Sequence, residues 1–244
     1  MASHRTGTRE ELIAESKELR QRGHELNKQR EELTAQRRAL PRVKVEKTYM
    51  LDTEAGPKTL EELFDGRSQL IVYHMMFGPT WKAACPGCTH LVDHFDPTIP
   101  HLKARDVTLA VVSHAPIDKL AAYKRRMGWK VPVASSYERE FNDDFGASFN
   151  EKQSGEIAKE VMPMFGSDPA IKEAANSCGI DVRQYVTTEA PGVDVFLHED
   201  GAIYHTYTSV PDGDDLDIGY YQFLNIAPKE WTGGTIPTQR SDEY

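Results

Sequence analysis

Three cysteines in 244 residues are too few for a disulfide-stapled scaffold. Long apolar runs are also missing. No stretch approaches the roughly 18 residues of a membrane-crossing helix, and the start of the chain is too polar for a secretory h-region, so a cytoplasmic protein is expected. Positive charge is in deficit: 29 Lys and Arg stand against 38 Asp and Glu, a net charge of -9. That field attracts neither nucleic acid nor an anionic membrane. The apolar share is low at 39% and the charged share is 27%, which points to one packed domain with polar extensions.

The charge is divided unevenly. Residues 1–40 hold nine basic and seven acidic side chains, a balance of +2 against -11 for the remainder. Within this segment Thr8 to Leu40 reads as one long polar helix, with Leu12, Leu19, Leu26, Leu33 and Leu40 seven residues apart and Pro41 ending it. The companion position four residues on is Ser16, Gly23, Arg30 and Arg37, so half of a coiled-coil seam is missing. The expectation is a helix lying along its own domain or along a second subunit, and a homodimer through it is the partner reading.

From residue 41 to about 228, short apolar runs alternate with helical stretches and turn residues, the pattern of a mixed α/β layer fold. Residues 229–244 read as a polar tail. Val43–Val45 and Thr48–Leu51 read as a small hairpin. Thr59 and Glu62 have capping-box spacing ahead of a one-turn helix, and Gln69–Met75 and Val107–Ser113 read as buried strands. Pro116 opens a helix through Met127 that Gly128 closes, Lys130–Ala134 continues as a strand, and Arg139–Phe145 forms a short helix. Residues 150–190 lack clear periodicity and read as an insertion with one helix at Pro169–Ser177. Val193–His198 and Ala202–Thr208 form a hairpin about Asp200-Gly201, and a helix is expected from Asp215 to Asn225.

The chemistry gathers at Cys85-Pro86-Gly87-Cys88, between a buried strand and a helix. At a helix N-terminus, unpaired N–H groups and the helix dipole favour a thiolate. Cys85 is therefore the expected nucleophile, exposed to its partner. Cys88, one turn later, is the resolving thiol that attacks a mixed disulfide on Cys85. The same spacing occurs in zinc sites, and His90 and His94 follow. One helix cannot easily turn Cys88 and His90 toward the same ion, so no metal or cofactor is expected and the histidines read as exposed. Cys178 reads as a small buried apolar residue.

The stretch from Leu60 through Tyr73-His74-Met75-Met76-Phe77-Gly78-Pro79-Thr80-Trp81, the Cys-Pro-Gly-Cys, and Ala122 to Trp129 resemble the bacterial thioredoxin-like proteins described as predicted dithiol-disulfide oxidoreductases. The resemblance covers about Leu40 to Pro228. It implies a thioredoxin-like fold, exchange of disulfides with protein or small thiol substrates, and a cellular thiol reductant as partner. It also implies a cis-proline at Pro191, which would leave the backbone at Ala190 to pair with an extended substrate. Trp81 would line the approach to the thiolate, and Trp129 would line it or pack in the core. The position of the superfamily's buried acid falls near Tyr73 and His74, so His74 is either a proton acceptor for Cys88 or a satisfied core histidine.

Two other functions compete. Leu60–Phe77 and Val131–Gly146 also resemble peroxiredoxins, but Lys82 stands where those enzymes place Thr or Ser, and Arg125, Arg126 or Arg139 would have to supply a guanidinium. The second is a non-catalytic binding protein that makes its contacts through the leucine-striped helix and the tail.

Overall fold

The structure is a computed structural model that describes residues 5–209 and 239–243. Helix α1 (Arg9–Arg38) starts at a reciprocal capping box between Thr8 and Glu11 and buries none of its residues. Strand β1 (Val43–Lys44) follows, then β2 (Met50–Thr53) and β3 (Gly56–Thr59). The expected hairpin of residues 43–51 is not formed. Val43 pairs with His205 near one edge of the sheet, whereas Met50 pairs with Thr59 near the other. The linking Glu46-Lys47 lacks the Gly or Asn that a tight two-residue turn requires. Lys47 instead pairs with Asp144 at 2.7 Å, and the chain crosses to the far edge.

Helix α2 (Leu60–Leu63) carries the Thr59/Glu62 capping box expected of it. Strand β4 (Gln69–His74) leads into α3 (Pro86–Phe95), a 3-10 turn and α4 (Ile99–Lys103), and returns as β5 (Val107–Ser113) parallel to β4. Helix α5 (Ile117–Met127) ends at Gly128 with φ 72° and leads to β6 (Val133–Ser135), which is parallel to β5. Helix α6 (Phe141–Asp144) precedes the insertion.

The insertion holds three helices rather than one: α7 (Glu151–Phe165), α8 (Pro169–Cys178) and α9 (Val182–Thr187). Asn150, Asp168 and Asp181 each accept a backbone N–H at the N-terminus of the helix that follows, so local capping defines all three. Strands β7 (Gly192–Glu199) and β8 (Ala202–Ser209) close the sheet as the expected hairpin. Asp200 and Gly201 both have positive φ, 52° and 73°, as a type I′ turn demands. The expected helix at 215–225 lies outside the described residues.

The strand order is β1-β8-β7-β4-β5-β6-β2-β3. Its centre, β8-β7-β4-β5 with β7 antiparallel to β4 and a helical crossover from β4 to β5, is a thioredoxin-like fold. Because side chains alternate along a strand, the sheet divides the core. Tyr73, Leu109 and Val111 join the layer that contains α3, Cys85 and Cys88. Leu70, Val72, Ala110 and Val112 join the opposite layer with Phe141 and Phe196.

Candidate active site

Cys85 is the N-cap of α3, and Pro86 occupies the first helical position, where a missing N–H costs nothing. Its backbone is fixed on both sides: the Cys85 N–H donates to the Met76 carbonyl at 2.9 Å, and the Thr89 N–H donates to the Cys85 carbonyl at 3.0 Å. The sulfur does not face open solvent as expected. Cys85 is 5% exposed and Cys88 is 3% exposed. The covering group comes from the insertion, where the Tyr185 hydroxyl of α9 lies 3.0 Å from Cys85 Sγ.

The two sulfurs are driven in opposite directions. The neighbouring Cys88 thiol, the Tyr185 hydroxyl and the backbone N–H groups of Cys88 and Gly87 together outweigh burial and bring Cys85 down to about 7. Burial, reinforced by the neighbouring Cys85, pushes Cys88 well above the ordinary thiol value. The Tyr73 phenol lies against Cys88 on the same face of β4 and lacks a hydrogen-bond partner of good geometry among the described residues. Burial raises Tyr73 and Tyr185 far above an ordinary phenol, so both stay protonated and each has an O–H to donate to a thiolate.

Trp81 does not line an open approach. It is 2% exposed and stacks on Tyr185, with ring centroids 5.6 Å apart and planes 27° apart. Gly78 makes room for it, since a Cβ there would lie 2.6 Å from Trp81 Nε1. Trp129 packs against Tyr123 and donates its indole N–H to Asp93 at 2.6 Å.

His74 faces away from the sulfurs, into the opposite layer. Nδ1 lies 3.2 Å from Asn142 Oδ1 and Nε2 lies 2.9 Å from Asp194 Oδ2, and the ring stacks on Phe141. Side-chain alternation puts Tyr73, one residue earlier, beside Cys88 in its place. His205 completes this buried polar group at 2.7 Å from Asp194 Oδ1.

The residues before β7 also correct the expectation. Among the described residues there is no cis peptide bond, so Ala190-Pro191 is trans. The Ala190 N–H already donates to the Ala147 carbonyl at 2.9 Å, and Glu189 bridges to Ser148. The backbone that would have met an extended substrate is therefore taken by the chain itself. The Glu189 carboxylate is buried and accepts from Ser148 at 2.6 Å, and it lies 3.0 Å from His114 Nδ1.

The tail supplies a residue that sequence reading missed. Arg240 is 2% exposed and donates to the Ala84 carbonyl at 2.7 Å and to the Tyr123 hydroxyl at 2.9 Å. His90, expected on the surface, is buried with Nε2 2.7 Å from the Gln239 carbonyl. Cys178 is fully buried, its thiol 3.5 Å from the Ala84 carbonyl, and burial pushes it up to about 12. The guanidiniums considered for peroxide chemistry lie elsewhere: Arg126 pairs with Asp242, Arg139 pairs with Asp52, and Arg125 is exposed. No group of three or more His, Cys, Asp or Glu side chains with metal-binding geometry occurs among the described residues. Among them no helix is long and apolar enough to cross a membrane.

Fold and sulfurs together define a thioredoxin-like protein with a C-x-x-C pair at the head of its first crossover helix. Over residues 1–243 the chain matches the family described as "Bacterial protein of unknown function (DUF899)", and it belongs to that family. No curated protein matches it. Solved structures similar to it include peroxidoxin BcpB from Mycobacterium tuberculosis, 14% identical with a TM-score of 0.44, over 68% of this chain and 86% of that one. Peroxiredoxin Q from Xanthomonas campestris is 14% identical with a TM-score of 0.44, over 72% of this chain and 85% of that one. A protein described as thiol:disulfide interchange protein DsbE from Chlorobium tepidum is 12% identical with a TM-score of 0.41, over 76% and 97%. At these values the likeness assigns neither substrate nor residue roles.

Proposed function

We propose that the chain is a thiol-disulfide oxidoreductase in which Cys85 is the nucleophile and Cys88 the resolving thiol. One observation carries this reading: a C-x-x-C pair at the head of α3, whose first sulfur lies 3.0 Å from the Tyr185 hydroxyl and is favoured as thiolate near neutral pH, while burial holds the second as thiol. The Cys85 thiolate attacks a substrate disulfide RS–SR′, forms Cys85–S–S–R and releases R′S⁻, which takes up a proton. Cys88 then loses its proton and attacks the Cys85 sulfur, releasing RSH and leaving the Cys85–Cys88 disulfide. Two electrons pass to the substrate, and a cellular thiol returns the pair to the reduced state.

Within this reading Pro86 and Gly87 set the turn that aims N–H groups at the Cys85 sulfur, and Trp81 holds Tyr185 in place. Burial of both sulfurs and occupation of the Ala190 backbone favour a small thiol or disulfide as substrate over an extended peptide. The test is trapping. Cys88→Ser should accumulate a mixed disulfide on Cys85 when treated with a small disulfide, and Cys85→Ser should accumulate none on Cys88. Equal trapping by both variants would remove the assigned roles.

Burial also suits a thiol peroxidase, because hydrogen peroxide is smaller than any disulfide. In that reaction the Cys85 thiolate attacks one peroxide oxygen, the O–O bond breaks and the departing hydroxide takes up a proton as water. Cys88 then condenses with the resulting sulfenic acid to give the same disulfide and a second water. Rapid peroxide consumption that needs Cys85, with slow exchange toward disulfides, would select this second reading.

A further inference from the structure

Among the described residues, the leucine stripe of α1 is left largely uncovered. Leu12, Leu19, Leu26, Leu33 and Leu40 are 45–67% exposed, and the neighbouring Ile13 is 58% exposed. A helix of this length spans about 45 Å, and in water most helical stability comes from packing an apolar face. We propose that α1 pairs antiparallel with α1 of a second copy of this chain.

Charge selects the direction. The first turn of α1 carries Glu10 and Glu11 beside Arg9, and the last carries Arg37 and Arg38. A parallel pair would set acid on acid and base on base, and would bring Arg30 and Arg37 each against its own copy. An antiparallel pair sets Glu10 and Glu11 of each helix near Arg37 and Arg38 of the other, keeps Arg30 and Arg37 away from their own copies, and opposes the two helix dipoles.

Side-chain size selects the register. The positions that spoil a parallel seam, Ser16, Gly23, Arg30 and Arg37, become receptors when the helices run in opposite directions. Leu26 of one copy then sits over Gly23 of the other, and Leu33 sits over Ser16, a large residue above a small one in each case. Leu19 and Leu12 lie along the aliphatic stems of Arg30 and Arg37 of the other copy. The same register brings the start of one helix to the base of the other. There a groove of about 420 Å³, lined by Thr34, Leu40, Val195, Leu197 and Tyr207 among others, is open to receive Leu12 and Ile13.

Two measurements on the full chain test this independently of any redox activity. Sedimentation equilibrium at micromolar concentration should give twice the chain mass for the unaltered protein and the single mass for Leu19→Glu/Leu26→Glu. That variant should keep an unchanged alkylation rate at Cys85 as evidence of a folded domain. Mild oxidation of Ser16→Cys/Leu33→Cys should then link position 16 of one copy to position 33 of the other, as mapped by peptide mass. These positions are too far apart along one helix to join within a chain. A single-chain mass for the unaltered protein would overturn the proposal. Links of 16 to 16 and 33 to 33 would overturn the antiparallel register.

Discussion

Replacing Tyr185 with Phe removes one hydroxyl and almost no volume, so it isolates the contribution of the 3.0 Å contact to Cys85. A hydrogen bond to a charged group is worth about 1.5–3 kcal/mol, and a tenfold change in ionisation costs about 1.4 kcal/mol. The Cys85 midpoint should therefore move from about 7 back toward the ordinary thiol value. At pH 7 the thiolate fraction would fall from about half to about a tenth or less. The assay is the pH dependence of iodoacetamide alkylation, with the modified cysteine identified by peptide mass so that Cys88 and Cys178 do not contribute. Because Trp81 stacks on the ring rather than on the hydroxyl, the variant should keep its fold and its α9 packing. An alkylation midpoint that stays near 7 in Tyr185→Phe would refute the role given to the insertion.

Other perturbations follow from the same geometry. Cys88→Ala should raise the Cys85 midpoint, because the Cys88 thiol is the largest influence favouring the thiolate, and alkylation profiles would show it. Asp194→Ala leaves His74 and His205 without their shared carboxylate and should cost about 3 kcal/mol or more in urea unfolding. At Asp194 burial acts to raise the carboxyl, but the bonds to His205 and His74 prevail and hold it below its usual value. Its stabilisation is therefore present above the unfolded value of about 3.9 and is lost as pH falls through the lower folded value, a loss that Asp194→Asn should not show. Arg240→Ala leaves the Ala84 carbonyl with only the weak Cys178 thiol as donor, should cost roughly 1–3 kcal/mol, and should open Cys178 to alkylation.

The parts of the fold legible in the sequence are those fixed by local chemistry. The Thr59/Glu62 box, the Pro116 to Gly128 helix and the Asp200-Gly201 turn each carry their own signal, and each is formed. Long-range choices were not legible. Residues 43–51 looked like a hairpin because two apolar runs lay close in sequence, but the sheet takes them to opposite sides. In α7, Gly155 and Pro163 weakened the helical pattern, while the Asn150/Gln153 box that starts it was there to be read. The position of Cys85 at the head of α3 followed from strand, loop and helix order. Its burial did not, because Tyr185 and Arg240 arrive from segments 100 and 155 residues farther along the chain. Alternation along β4 could have pointed to Tyr73 rather than His74 as the neighbour of Cys88, since Tyr73 and the apolar Ile71 share one face.

The central claim is that Cys85 and Cys88 form a reversible two-electron couple, and a glutathione redox titration tests it most directly. Free thiols would be trapped at each ratio of reduced to oxidised glutathione and counted by intact mass. The account predicts one reversible step that removes two hydrogens from the unaltered protein and is absent in both Cys85→Ser and Cys88→Ser. A protein that forms no intramolecular disulfide at any ratio would contradict it.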